Sequence, residues 1–308
     1  MHCCREIDTN IDDRVAAVDT AWNRGPSDCG RNAMASLVYI GGFGQSGSTL
    51  LEYLITASSE AVACGEVVNG FRNRRCTCGK LGKDCPVWGV FGEISGSSLL
   101  WTHEALVTTL LEHIAPNYAI MSDSSKTAWG SITAPFRLRR KLGHNLHLVH
   151  LVRDPRAVCW STMRRASARQ GKRLVKVKKA KRIRAVMSKP IPRCIRTAIG
   201  WWIANLSCEL FGWLYPSQYL RVHYEFLACY PQAALRTLFR AISPDWDLRL
   251  TQIGINDNRH QLYGNRMRRR KLLFSDVRLD VRWGSEMPDG YRRLVGALTW
   301  PLRAKYSY

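Results

Sequence analysis

The segment from Leu37 to Ala57 constrains this chain more than any other. An unbroken apolar run, Leu-Val-Tyr-Ile, meets GGFGQSG and gives way to Leu50, Leu51, Leu54 and Ala57 at helical spacing. That order reads as strand, glycine loop, helix. Similar apolar runs at Tyr118–Met121, Leu146–Val152 and Tyr219–Val222 each precede a helix-like stretch. The pattern predicts an α/β fold, a single domain with a central parallel sheet flanked by helices.

Gly42 and Gly47 frame a G-x-x-x-x-G loop whose backbone N–H groups, with the following helix N-terminus, favour a bound anion. Ser48 stands where a nucleotide triphosphatase needs the lysine that reaches the β- and γ-phosphates. A kinase or triphosphatase therefore fits poorly, while a 5′-phosphate or phosphosulfate site stays open. A plain glycine turn would also satisfy this pattern taken alone. The chain carries 46 Lys and Arg against 24 Asp and Glu, a formal charge of +22, which favours an anionic ligand without distinguishing nucleotide from nucleic acid.

A second signal lies at Leu151–Ser161, LVRDPRAVCWS. Asp154 is suited to cap a helix with Pro155 at its first position, and Pro231 opens another helix whose Leu235, Leu238, Phe239 and Ile242 share a face. Arg153 leaves a strand end and Ser161 lies about two turns along the next helix, so both can face the mouth of the sheet, where α/β folds bind ligands. From the residues alone, Arg153 pairing with Asp154 and Ser161 facing solvent are the favoured reading.

The two motifs together resemble the sulfotransferase superfamily. GGFGQSGSTLL looks like its 5′-phosphosulfate loop and LVRDPRAVCWS like its 3′-phosphate motif. The resemblance spans about residues 36–308 and is closest to bacterial members. It includes CTCGKLGKDCPVW, SDSSK, the Tyr-Glu pair of VHYEFL, HQLYGNRMR and ALTWPLRAKYSY. It implies a P-loop-like sulfotransferase fold with 3′-phosphoadenosine 5′-phosphosulfate (PAPS) as sulfuryl donor and no required metal. The implied donor-binding residues are Gly44, Gln45, Ser46, Gly47, Ser48 and Thr49 in the loop, with Arg153, Ser161, Tyr224 and Arg268 elsewhere. Arg266 and Arg269 flank Arg268 in the same basic segment, where a solvated charge run is equally consistent; for Tyr224 core packing is.

For chemistry the resemblance implies Glu66 as general base, Lys126 as a cation near the sulfonate, and Gln45 at the bridging oxygen. Related enzymes place Arg, Lys or His where this chain has Gln45. A neutral donor makes roughly half as strong a contact as a charged one, so lower activity, or compensation by a nearby cation, is expected. His103 and His260 rank below Glu66 as bases, and a surface role stays open for Lys126. The acceptor class is a small molecule, a carbohydrate or a peptide. The rival readings are a nucleotide-binding scaffold with weak or lost catalysis, a P-loop kinase, and a basic nucleic-acid-binding protein.

Two segments lie outside this scheme. Arg164–Arg196 holds fourteen Lys or Arg and no acid, with Gly171, Pro190 and Pro192 as interruptions; it reads as a basic insert, too charged to pack, that is either a solvated loop or a means of drawing in an acidic acceptor. Cys76, Cys78 and Cys85 form a CxC-x6-C array, with Cys64 as a fourth ligand if zinc is bound; free thiols and a disulfide are the alternatives. Residues 1–35 read as an N-terminal extension ahead of a domain at 36–308. Eleven cysteines and a start without a secretory pattern favour a reducing, cytoplasmic setting. Ala198–Tyr215, apolar but carrying Asn205, Ser207 and Glu209, reads as a buried amphipathic helix rather than a membrane span.

Overall fold

The computed structural model describes residues 35–70, 75–92, 101–127, 131–170, 190–242, 258–264, 266–269 and 274–308. Its strands are β1 (Ser36–Gly41), β2 (Ala61–Ala63), β3 (Ile120–Asp123), β4 (Leu146–Val152) and β5 (Tyr219–His223). All are parallel and lie in the order β2-β3-β1-β4-β5. From β1 the chain crosses to the edge strand β2, returns to β3 beside β1, and then passes to the other side of β1 with β4 and β5. The loop after β1 therefore opens at the switch point where strand order reverses.

The apolar runs are explained by burial on both faces. Leu37 and Tyr39 of β1 and Leu146 and Leu148 of β4 point into one core layer, shared with Leu106, Leu110 and Leu111 of α2 (His103–Ile114), Leu138 of α3 (Ala134–Leu142) and Phe211 of α5 (Pro190–Leu214). Val38, Ile40, Val149 and Leu151 point the other way, onto Leu51 and Leu54 of α1 (Ser48–Ile55) and Leu235, Leu238 and Phe239 of α7 (Pro231–Ile242). A strand covered on both sides has no polar face to alternate, so it reads as continuously hydrophobic. β2 escaped the sequence reading because three residues, Ala-Val-Ala, carry no usable period. β3 begins two residues later than its apolar run, and its last residues, Ser122 and Asp123, are polar and fully buried.

Asp154 caps α4 (Pro155–Gln170) as expected, its Oδ1 accepting from the Arg156 backbone N–H at 2.8 Å while its carbonyl accepts from Val158 at 3.0 Å. The short α6 (Tyr224–Cys229) follows β5 directly, and α8 (Asp289–Leu298) and α9 (Trp300–Lys305) close the chain.

The expectation of a wholly irregular basic insert is corrected at both ends. Arg164–Gln170 continues α4, and Pro190 is the first residue of α5, where its fixed φ suits a helix start. Cys159 and Met163 of α4 pack on Cys194 of α5, so apolar residues interleaved with the arginines supply the packing that charge count alone concealed. Residues 171–189, and the proposed extension up to residue 34, lie outside the described residues.

The apolar stretch Ala198–Tyr215 lies in α5 and its last turn, and only one side of it is buried, through Trp201, Ala204, Cys208 and Phe211. Asn205 serves the sheet, its Oδ1 lying 2.7 Å from His150 Nε2, and Glu209 pairs with Arg221 at 3.0 Å and Lys305 at 2.6 Å. Leu206, Leu210 and Trp213 are exposed, a difference from the buried helix expected. Among the described residues no helix is long and apolar enough to cross a membrane.

Candidate functional site

Three loops leave the carboxyl ends of β1, β3 and β4 and meet over one crevice of about 380 Å³, within the range of small-ligand sites. The β1 loop turns on Gly42 (φ 113°) and Gly47 (φ 100°). A Cβ on Gly42 would stand 2.6 Å from the Leu151 carbonyl oxygen, and one on Gly47 2.5 Å from the Tyr224 ring. These glycines let the backbone pass between strand and ring, which aims the N-terminus of α1 into the crevice. Gln45 and Lys126 also occupy the left-handed region, at φ 73° and 71°. Such residues cost about 1–3 kcal/mol each and cluster where a function requires them. Hydrogen bonds fix the pair of loops: Gly42 N–H donates to Thr127 Oγ1 at 3.0 Å, and the Tyr39 hydroxyl donates to the Lys126 carbonyl.

Arg153 spans the gap between the first and third loops. Its Nη1 donates to the Gln45 carbonyl at 3.0 Å, its Nη2 to the Asp280 carbonyl at 3.2 Å, and its guanidinium lies 4.0 Å from the centre of the Tyr224 ring. Ser161 reaches the same loop from α4, its Oγ donating to Gln45 Oε1 at 3.3 Å. The alternative partner for Arg153 is thereby corrected: Asp154 pairs with Arg156 at 2.6 Å, and Arg153 turns to the loop. Among the described residues its Nε is buried without a hydrogen-bond partner, an orphan donor of the kind a bound anion satisfies.

Glu66 follows β2 and lines the crevice, where its Oε1 forms an ion pair with Lys126 and its Oε2 accepts from Asn69 at 3.1 Å. Its approach is set by Glu52, a residue the sequence reading passed over. Glu52 Oε1 accepts from Gly65 N–H at 3.0 Å; Oε2 accepts from Ser124 at 3.0 Å and from Gln261 at 2.9 Å. One buried carboxyl thus ties α1 to the Glu66 turn, the Lys126 loop and the 258–264 segment.

Burial pushes Glu52 from its ordinary 4.5 up to about 8, against the Ser124 hydrogen bond and with Asp123 adding to the rise. Below 4.5 the folded and unfolded chains both hold the proton. As pH climbs toward 8 only the unfolded chain releases it, so stability falls with rising pH across that window, by up to about 4 kcal/mol. Melting curves should show Glu52→Gln gaining on the native chain between about pH 5 and pH 8; parallel curves would mean that Glu52 is ionised throughout.

No protein-family model matches the chain, and no curated protein matches it either. Solved structures do. The sulfotransferase domain from the curacin biosynthetic pathway aligns with a TM-score of 0.57 at 17% identity, over 90% of this chain and 98% of that one. The sulfotransferase domain from the Synechococcus PCC 7002 olefin synthase aligns at 0.51 and 16%, over 93% and 98%. This chain has the sulfotransferase fold.

In this sulfotransferase fold most of the residues singled out from sequence converge. Gln45, Gly47, Ser48, Thr49, Glu66, Lys126, Arg153, Ser161 and Tyr224 all line the crevice. Gly44 and Ser46 belong to the loop but not to the lining, and Ser46 is buried beneath it. Tyr224 is 6% exposed and packs in the core, with its ring flanking Gly47 and Arg153 at the crevice wall.

Arg268 departs from expectation. It is buried and turned inward, donating to the Gly264 carbonyl at 3.0 Å and the Leu262 carbonyl at 3.2 Å, so it braces its own loop. Arg165, Arg278 and Arg282 line the crevice instead. Arg282 holds Asp280 in a 2.7 Å ion pair that, with Arg153, keeps that carboxyl down near 2 and therefore negative. The resemblance pointed to the basic segment that holds Arg268, and a resemblance of segments does not reveal which guanidinium turns inward.

The two histidines lie elsewhere. His103 is buried against Asp123 at 2.7 Å, outside the crevice lining. His260 sits with Cys76, Cys78 and Cys85, and it, not Cys64, joins that array.

Proposed function

We propose that this chain is a sulfotransferase that moves a sulfuryl group from PAPS to a hydroxyl or amine of an acceptor. The observation that carries this reading is the double hold on Gln45, whose carbonyl takes Arg153 at 3.0 Å and whose side chain takes Ser161 at 3.3 Å. A loop suited to the 5′-phosphosulfate and a pair suited to the 3′-phosphate thus share one rim, as a doubly phosphorylated adenosine requires. The cations Lys126, Arg153, Arg165, Arg278 and Arg282 outnumber the acids Glu66, Asp276 and Asp280 there, which favours a polyanion.

In this reading Ser48 and Thr49, at the start of α1, hold the 5′-phosphate, Arg153 and Ser161 hold the 3′-phosphate, and the Tyr224 ring flanks the nucleotide. Lys126 exchanges its pairing with Glu66 for the entering sulfonate. The freed Glu66 carboxylate accepts the acceptor's proton as its oxygen or nitrogen bonds to sulfur, and the bond between sulfur and the bridging oxygen breaks. Adenosine 3′,5′-bisphosphate leaves with the electron pair, its charge stabilised by the same donors. Gln45 supplies a neutral donor, and the arginines around it supply the charge. The reading takes residues 36–308 as the catalytic domain, with the basic stretch that joins α4 to α5 favouring an acidic acceptor. The described cysteines form no disulfide, which suits a reducing, cytoplasmic setting.

Incubation of the chain with ³⁵S-labelled PAPS and pooled metabolites, carbohydrates and peptides tests the reading. Label is expected on at least one acceptor, with one bisphosphate released per transfer. Nucleotide binding without any transfer would instead indicate a scaffold that has lost its chemistry.

A further inference from the structure

Outside the crevice, four ligand-type side chains converge where a cysteine-bearing loop meets a distant segment. Cys76, Cys78 and Cys85 come from 75–92 and His260 from 258–264, and one ligand atom from each lies within 4.8 Å of the others. Cys85 Sγ stands 3.6 Å from Cys76 Sγ, 3.8 Å from Cys78 Sγ and 3.2 Å from His260 Nδ1. A disulfide needs sulfurs about 2.05 Å apart, so these three are not cross-linked to one another. A tetrahedral ion with bonds of about 2.3 Å to sulfur would place its sulfurs about 3.8 Å apart, the separation found here.

We infer that Cys76, Cys78, Cys85 and His260 form a structural zinc site. Three thiolates and one imidazole, with no carboxylate in the group, are the donors that select zinc, and four protein ligands close the shell to water. Binding replaces three S–H protons by the metal, releasing them to solvent, with no change of oxidation state. The turn that presents the ligands is built for it: Cys76 N–H donates to the Lys80 carbonyl at 2.8 Å, Gly79 N–H donates to the Cys76 carbonyl at 3.1 Å, and Gly79 takes φ 89°. On the other side, the Trp88 indole N–H donates to the His260 carbonyl, and Gln261 N–H donates to Thr77 Oγ1 at 2.9 Å.

The consequence is architectural. Asn258 and His260 bracket β2 by hydrogen bonds with Ala63, and Gln261 reaches Glu52. The ion would therefore staple the cysteine loop to the segment that holds Glu52, joining residues 175 positions apart. Sulfuryl transfer is not needed for this inference, and bisphosphate binding measured on the same samples tests the crevice separately.

The full chain, purified under reducing conditions and dialysed, should carry about one zinc ion per molecule by elemental analysis. Exchange for cobalt(II) alone should give a thiolate-to-cobalt charge-transfer band and the intense visible bands of tetrahedral cobalt. Cys64→Ser should keep the metal, whereas Cys85→Ser should lose it. His260→Cys should keep it and shift the visible bands as a fourth sulfur replaces nitrogen. Should Cys85→Ser fail to fold, the cobalt spectrum of the native chain still decides the matter. A native chain without stoichiometric metal and without tetrahedral cobalt bands would overturn the assignment, as would metal loss in a folded Cys64→Ser.

Discussion

Glu66→Gln is expected to lower the turnover of sulfuryl transfer by about 10²- to 10⁴-fold while leaving the affinity for adenosine 3′,5′-bisphosphate within a few-fold of the native value. Glutamine keeps the shape of the side chain and can still face Asn69 and Lys126, so the crevice should hold its form. What it removes is the group that accepts the acceptor's proton. It also releases Lys126 from its ion pair, which should if anything favour the donor's sulfonate. Steady-state rates on an acceptor found by the labelled-donor screen, set beside calorimetric titration of the bisphosphate, separate the two effects. Equal turnover in native and variant chains would remove Glu66 from the chemistry.

Arg153→Met should weaken bisphosphate binding by about 10- to 100-fold, since hydrogen bonds to charged groups are worth about 1.5–3 kcal/mol and 1.4 kcal/mol is a factor of ten. Methionine keeps much of the volume beside Tyr224 but removes the donors to the Gln45 and Asp280 carbonyls. The sharper readout is selectivity. The native chain should prefer adenosine 3′,5′-bisphosphate over adenosine 5′-monophosphate, and the variant should lose that preference. A purely structural Arg153 would weaken both nucleotides alike.

The parts of this molecule that were legible in its sequence are those where one local cause dominates. β1 and β4 are buried on both faces, so their apolar runs were unmistakable, and the Asp154-Pro155 start of α4 rests on capping chemistry confined to neighbouring residues. The glycine loop could be read because positive φ at Gly42 and Gly47 leaves few alternatives. The convergence of Gln45, Glu66, Lys126, Arg153, Ser161 and Tyr224 followed from two motifs and a parallel sheet, which sends its loops to one edge.

What stayed hidden depends on contacts between distant residues. Nothing near Glu52 marks it as the carboxyl that ties the Glu66 turn to Ser124 and Gln261, because all its partners arrive from other segments. The same holds for His260, which reaches Cys85 across 175 positions while Cys64, the nearer thiol in sequence, is not part of the group. Arg278 and Arg282 face the crevice while Arg268 folds back on its own loop, a choice made by backbone carbonyls that the sequence does not display.

The central claim is that one crevice receives both phosphates of a 3′,5′-bisphosphorylated adenosine, and ligand-induced thermal stabilisation tests it most directly. With no metal added, adenosine 3′,5′-bisphosphate at 100 times its Kd should stabilise the native chain by about 2.7 kcal/mol, and ATP with Mg²⁺ or RNA should do markedly less. Stabilisation by ATP with Mg²⁺ and none by the bisphosphate would contradict the account.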